Sequence, residues 1–224
     1  MSIKERIEFL KTDLRQEKLD YEEMFQKHLI DVSTYFFHEN LQKPNSENKL
    51  KSIIAQSFSV KVEEIYIVGS GKIGFSLKPS NLFNEFDNKY SLSKLISDRS
   101  DLDIVIISND LYEAIGKSMY NYTAAYNTKW KKNEYYSIEK AKQFSVPICY
   151  KCFEYYTKGW FRPDFKPYGF EFCSNGSFEE LKRKMYKIIN RKGTIAVYQN
   201  WFYFSNYHIA NIRNLSLKIK KSTL

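Results

Sequence analysis

Apolar residues fall along this chain in two rhythms, one recurring every three to four positions and one packed into short unbroken runs. The first rhythm predicts helices. Ile3, Ile7, Leu10 and Leu14 form a narrow stripe, which Met24, Phe25, Leu29 and Val32 continue after Leu19 and Tyr21. Residues 2–33 therefore read as helix with a heavily charged outer face. Pro44-Asn45 breaks the pattern, and Ser46 is placed to cap a second helix carrying Leu50, Ile53, Ile54 and Phe58. Leu111, Ala114, Ile115 and Met119 predict a helix capped by Asn109 or Asp110. Ile138 to about Thr157 predicts another, interrupted by Pro147. Ser177-Phe178-Glu179-Glu180 has capping-box spacing. It opens a helix with Leu181, Met185, Ile188 and Ile189 inside and Lys182, Arg183, Lys184, Lys187 and Arg191 outside, ended by Gly193. After about Tyr203 the chain reads as helix again and finishes basic, at Lys218, Lys220 and Lys221.

The second rhythm predicts strands. Ile65-Tyr66-Ile67-Val68 stops at Gly69-Ser70-Gly71-Lys72, and Leu102 to Ile107 forms a run with Asp101 and Asp103 at its start. Thr194 to Tyr198 is a third run. Side chains at i and i+2 of a strand share a face, so Asp101 and Asp103 project together. Two carboxylates so placed repel, and a cation between them relieves the repulsion. Positions 71–100 have weak periodicity. Ile73 to Lys78 starts a short helix that Pro79 limits, and Asn81, Asn84, Asp87 and Asn88 mark a loop. Tyr120 to Tyr136, rich in Tyr, Asn and Lys, gives no assignment, and Gly159 to Asp164 reads as a turn with an aromatic anchor. The expected architecture is one α/β (α+β) domain over 1–224, a small mixed sheet flanked by N- and C-terminal helices. Residues 1–60 form a helical extension, 61–200 the core and 201–224 the last helix.

Composition narrows the class. Hydrophobic residues make up 43% and charged residues 27%, enough to fill a core. No apolar run has the length of a membrane span and no secretory signal opens the sequence, so a cytoplasmic protein with no membrane partner is expected. Three cysteines and three histidines are too few for a disulfide framework. Lys plus Arg outnumber Asp plus Glu by 35 to 26, a net charge of +9 that suits polyanionic partners such as nucleic acid or nucleotide phosphates. An AT-rich coding sequence gives the same lysine excess without any such partner.

A strand ending in Gly69-Ser70, followed by a strand bearing Asp101-Leu102-Asp103, resembles the nucleotidyltransferase superfamily whose best-known member is DNA polymerase beta. More narrowly, Val68 to Leu77 with Ser100 to Asp103, and Gly159-Trp160-Phe161-Arg162-Pro163-Asp164 after them, resemble a group of bacterial nucleotidyltransferase-like proteins. That resemblance implies a nucleoside triphosphate as substrate and Mg²⁺ as cofactor, held by Asp101 and Asp103. It implies that Gly69 and Ser70 take the triphosphate, with Lys72 adding positive charge. Gly69 suits close backbone approach and Ser70 offers a hydroxyl and an amide. The transferred nucleoside monophosphate would go to a hydroxyl of RNA, a nucleotide or a protein, in a bacterial defence, toxin or signalling setting.

Two departures from the family pattern stand out. Positions 71–100 lengthen the connection between glycine turn and acid pair, as a loop that covers or flanks the site would. The third catalytic carboxylate is absent from Thr194 to Tyr198, leaving Glu171 as the first candidate and Asp164 as the second. The alternative reading is an inert nucleotide- or RNA-binding sensor that acts through a partner protein. Cys149 and Cys152 have the spacing of half a zinc site and Cys173 is a third thiol, but none of His28, His38 or His208 is close enough in sequence to be the fourth ligand, and small apolar roles suit Cys149 and Cys152 better.

Overall fold

The computed structural model describes residues 2–16, 18–123, 130, 135–139 and 144–221. Most of the unassigned stretch 120–136 lies outside these residues, as do the side chains of residues 135–139, 144, 145 and 221. The apolar runs do pair into a mixed sheet. β1 (Ile65–Val68) lies antiparallel to β2 (Leu102–Ile107), which lies parallel to β6 (Gly193–Tyr198), and β5 (Trp160–Phe161) pairs antiparallel to β6, in the order β1-β2-β6-β5.

Strand alternation gives this sheet two apolar faces. Ile65, Ile67, Leu102, Ile104, Ile106, Ile195, Val197 and Phe161 pack on one side, against α3 (Asn45–Phe58), α6 (Asn109–Thr123) and α8 (Phe178–Ile189). Tyr66, Val68, Val105, Ile107, Ala196, Tyr198 and Trp160 face the other side. There α1 (Ile3–Gln16), α2 (Tyr21–Phe25) and α9 (Trp201–Lys221) supply Leu10, Leu14, Phe25, Phe204, Ile212 and Leu215. The mixed α/β class and the flanking terminal helices are as expected. Among the described residues no helix is long and apolar enough to cross a membrane.

Several elements differ from the sequence reading, each for a local reason. The helix expected over 2–33 stops at Gln16, and the chain restarts at α2 behind a capping box. Asp20 accepts from the backbone of Glu22 and Glu23 at 2.9 and 2.8 Å, while the Asp20 amide donates to the Glu23 carboxylate at 2.9 Å. The break sets Phe25 against Phe204 and His208, each at 5.8 Å between ring centres. A π-helical turn, Gln26–Ile30, then follows α2. The helix α3 begins at Asn45 after Pro44, with no side-chain cap from Ser46.

The helix expected from Ile138 is instead a hairpin, β3 (Tyr135–Glu139) with β4 (Phe144–Pro147), followed by α7 (Ile148–Thr157). Pro147 has no N–H to continue a helix through itself, and it sits at the helix start as N-cap. Ser177 caps α8 by accepting from Glu180 N at 3.2 Å, whereas the Glu180 carboxylate turns to Lys184 at 2.8 Å, so only half of the box forms. That helix ends at Asn190, whose left-handed φ of 48° breaks it, and Gly193 opens β6 rather than closing the helix. The C-terminal helix starts at Trp201, two residues before the expected point.

The lengthened connection carries α4 (Gly69–Ile73), a bridge between Phe75 and Glu85, and α5 (Asn88–Ser93). Its anchor is an ion pair that the sequence does not announce. Arg191, expected on the outer face of a helix, is buried and bonds Asp87 through both terminal nitrogens at 2.9 Å. The guanidinium lies between the rings of Phe36 and Phe86, at 4.5 and 4.7 Å. Asp87 also accepts from Ser100 N at 2.8 Å, and Arg191 donates to Ser100 O at 3.0 Å. One buried pair thus ties the loop to the residue that precedes Asp101.

Candidate functional site

The antiparallel register of β1 and β2 sets Val68 opposite Asp103, so the turn after Val68 lands on the carboxylate of Asp103. Gly69 there has φ of 65°, a left-handed conformation that favours glycine. A Cβ at this position would lie 2.8 Å from Asp103 Oδ2, so the backbone passes directly over the acid. Gly69→Ala combines a strained φ with that clash and is expected to lower the unfolding free energy by about 1–3 kcal/mol. Urea denaturation measures this, and an unchanged midpoint would contradict the close approach.

The other neighbours of Asp103 come from β6. The parallel register places Thr194 beside it, and the Thr194 hydroxyl donates to Asp103 Oδ1 at 2.8 Å. Burial raises the carboxyl above its ordinary range, the Thr194 bond opposing, with smaller contributions from the charges of Lys78, Asp101 and Lys192. Asp101 stands just before the first strand residue and pairs with Lys192 Nζ at 2.9 Å. The side chains of that pair are 39% and 72% exposed, so the ammonium is a surface counter-ion rather than part of the core. Lys192 is itself held above the usual lysine range by the bond to Asp101, with the charges of Asp101, Asp164 and Asp103 adding to it.

Of the residues singled out from the sequence, Gly69, Asp101 and Asp103 are brought together, with Ser70 half-buried in the same turn. Lys72 looks elsewhere. Burial lowers its pKa, and the charges acting most on it are Glu47, Lys51, Asp31 and Arg6. Glu171 is engaged in a local turn, accepting from the backbone of Phe172, Cys173 and Phe178 at 3.0, 3.2 and 2.9 Å. Burial works to raise its pKa, and those three donors outweigh it. Phe178 opens α8, whereas the acid pair borders the strand that follows the other end of this helix, about 18 Å away along its 12 residues. Asp164 is placed nearer, since its charge reaches Lys192.

Three participants, Lys192, Thr194 and Lys78, were not foreseen from the sequence. Only the pairing of β2 with β6 reveals the first two, because they lie 91 residues from their partners. Among the described residues no group of three or more His, Cys, Asp or Glu side chains is set to hold a metal. Cys152 is buried against Met119, with 3.8 Å between the sulfurs. Two neighbouring carboxylates are nevertheless a fitting donor set for Mg²⁺, a hard cation that keeps several waters and shares substrate phosphates. Comparison with family models, with curated proteins and with solved structures finds no match to this chain.

Proposed function

We propose that the chain is a Mg²⁺-dependent nucleotidyltransferase that moves a nucleoside monophosphate from a nucleoside triphosphate to a hydroxyl group. The observation that carries this reading is the left-handed Gly69 turn lying directly on Asp103, with Asp101 beside it. Gly69 and Ser70 would receive the triphosphate at the edge of the acid pair, through backbone amides and one hydroxyl. Bound at Asp101 and Asp103, Mg²⁺ would neutralise the phosphates and stabilise the charge that develops during displacement. The chain's own work is positioning. Thr194 fixes the orientation of Asp103, and the Asp87–Arg191 pair fixes the start of β2. In the transfer the acceptor oxygen bonds to the α-phosphorus and the bond to the bridging oxygen breaks. Pyrophosphate leaves, and the hydroxyl proton passes to solvent.

A second reading, an inert nucleotide- or RNA-binding sensor acting through a partner protein, draws on one specific observation. The strand next to the acid pair offers the hydroxyl of Thr194 at the position where a third carboxylate would complete the site. Calorimetry of the wild-type protein with triphosphates, with and without Mg²⁺, together with labelled transfer to RNA, nucleotide and protein acceptors, tests both readings. Mg²⁺-dependent binding with transfer is the expected result. Binding without transfer to any acceptor favours the sensor, robust turnover removes it, and the absence of Mg²⁺-dependent triphosphate binding overturns the transferase.

A further inference from the structure

On the side of the acid pair away from the Gly69 turn, β6 and then β5 extend the same face of the sheet. Trp160 packs on the face that carries Val105 and Ala196, two residues along from Asp103 and Thr194 respectively. Arg162 follows Trp160 in extended conformation, with φ −111° and ψ 112°, so the alternation continues and its side chain returns to that face. At the sheet edge the guanidinium rests against Trp160 of this face at 5.0 Å and against Tyr155 and Phe165 of the opposite cluster, at 5.1 and 4.9 Å. Continued one residue past the Phe161–Val197 pair, the antiparallel register would set Arg162 beside Ala196, a small side chain.

A guanidinium carries five N–H donors in a rigid plane. Among the described residues the polar partner of Arg162 is Asp164, through one nitrogen at 3.2 Å, and the Asp164 side chain is 72% exposed. Such a surface pair contributes little and exchanges readily. A phosphate offers two parallel bonds to the same plane and gains the bidentate geometry that a single Asp164 contact lacks. The aromatic faces hold the plane in place before any ligand arrives.

We propose that Arg162 anchors an anionic acceptor, a phosphate ester of a nucleotide or oligonucleotide that carries the attacking hydroxyl, an inference that rests on the transferase reading above. An in-line displacement needs the attacking oxygen opposite the leaving pyrophosphate. With the triphosphate at the Gly69 turn beside β1, the acceptor enters from the β6–β5 side. There Arg162 lies about 10 Å from the acid-pair strand, two strand spacings across the sheet. A protein side-chain hydroxyl brings no anion to this guanidinium, so the geometry selects among the acceptors named above.

The test is equilibrium binding of adenosine monophosphate, a 5′-phosphorylated diribonucleotide and its unphosphorylated counterpart, with a non-hydrolysable triphosphate analogue plus Mg²⁺ measured in parallel. Arg162→Met is expected to weaken the phosphorylated probes about tenfold or more, the size of a lost charge-assisted pair, and to leave the triphosphate analogue unchanged. Arg162→Lys recovers part of the loss, because the charge returns without the fork. Asp164→Asn, at an exposed site that packing does not constrain, is expected to tighten the phosphorylated probes by removing the internal competitor. Preference for the monophosphate or for the dinucleotide assigns the source of the phosphate. Equal binding of phosphorylated and unphosphorylated probes, or phosphorylated-probe binding unmoved by both Arg162→Met and Asp164→Asn, overturns the proposal. Failure of the transferase reading is separate, showing as no Mg²⁺-dependent binding of the analogue.

Discussion

Arg191→Met is expected to lower the unfolding free energy by about 3–5 kcal/mol, a large share of what a domain of this kind possesses. The substitution leaves the Asp87 carboxylate, 9% exposed, without its cation in a site closed by Phe36 and Phe86. An uncompensated buried charge is far more costly than the pair itself is favourable. The double variant Asp87→Leu with Arg191→Met is therefore expected to recover much of the loss. Among the described residues the Nε of Arg191 is buried without a hydrogen-bond partner, so the wild-type arrangement already carries an unmet donor that an apolar pair would remove. Chemical denaturation of the single and double variants measures the coupling directly. Additive effects would mean that the pair does not hold the inserted loop to the sheet.

Asp103→Asn is expected to abolish transfer, by roughly two to three orders of magnitude or more, while leaving the protein no less stable at neutral pH. The two halves have different causes. An amide keeps the shape of the side chain and can still accept from Thr194, but it has no charge for a divalent cation or for a triphosphate. Burial raises the Asp103 carboxyl above its unfolded value, so the folded protein holds this proton more tightly than the unfolded chain does. The stability that Asp103 contributes is thus present at low pH and is lost as pH rises from the unfolded value through the raised folded one. Asparagine removes that loss. Denaturation midpoints across the acid range should converge at low pH and favour the variant, or match it, near neutrality. Transfer that survives Asp103→Asn would sink the assignment of the site.

What the sequence conveyed well was local. The glycine turn, the two acids at a strand start and the apolar periods of α3, α6 and α8 are set by neighbours within a few residues, and they emerge at the expected places. What it concealed was long-range or locally outvoted. Arg191 sits at the end of a basic helical pattern and looks solvated until Asp87, 104 residues away, is placed beside it. Glu171 resembles a catalytic acid by isolation between two phenylalanines, yet its oxygens accept from three backbone amides within seven residues. Lys72 follows the glycine turn so closely that proximity suggested the phosphates, but the short helix α4 rotates it toward charges on the N-terminal helices. The cations whose charges reach Asp103, Lys78 and Lys192, come from a loop and from a strand entrance, places where period and composition carry no signal.

The position of β6 between β2 and β5 also orders events during synthesis. Asp101 and Asp103 are translated less than halfway through the sequence, but Arg191, Lys192 and Thr194, which fix them, come more than 80 residues later. A nascent chain halted before β6 therefore has both acids and the glycine turn without the strand that holds them in register. Assembly of the acid pair with the groups that fix it therefore waits until β6 has been made.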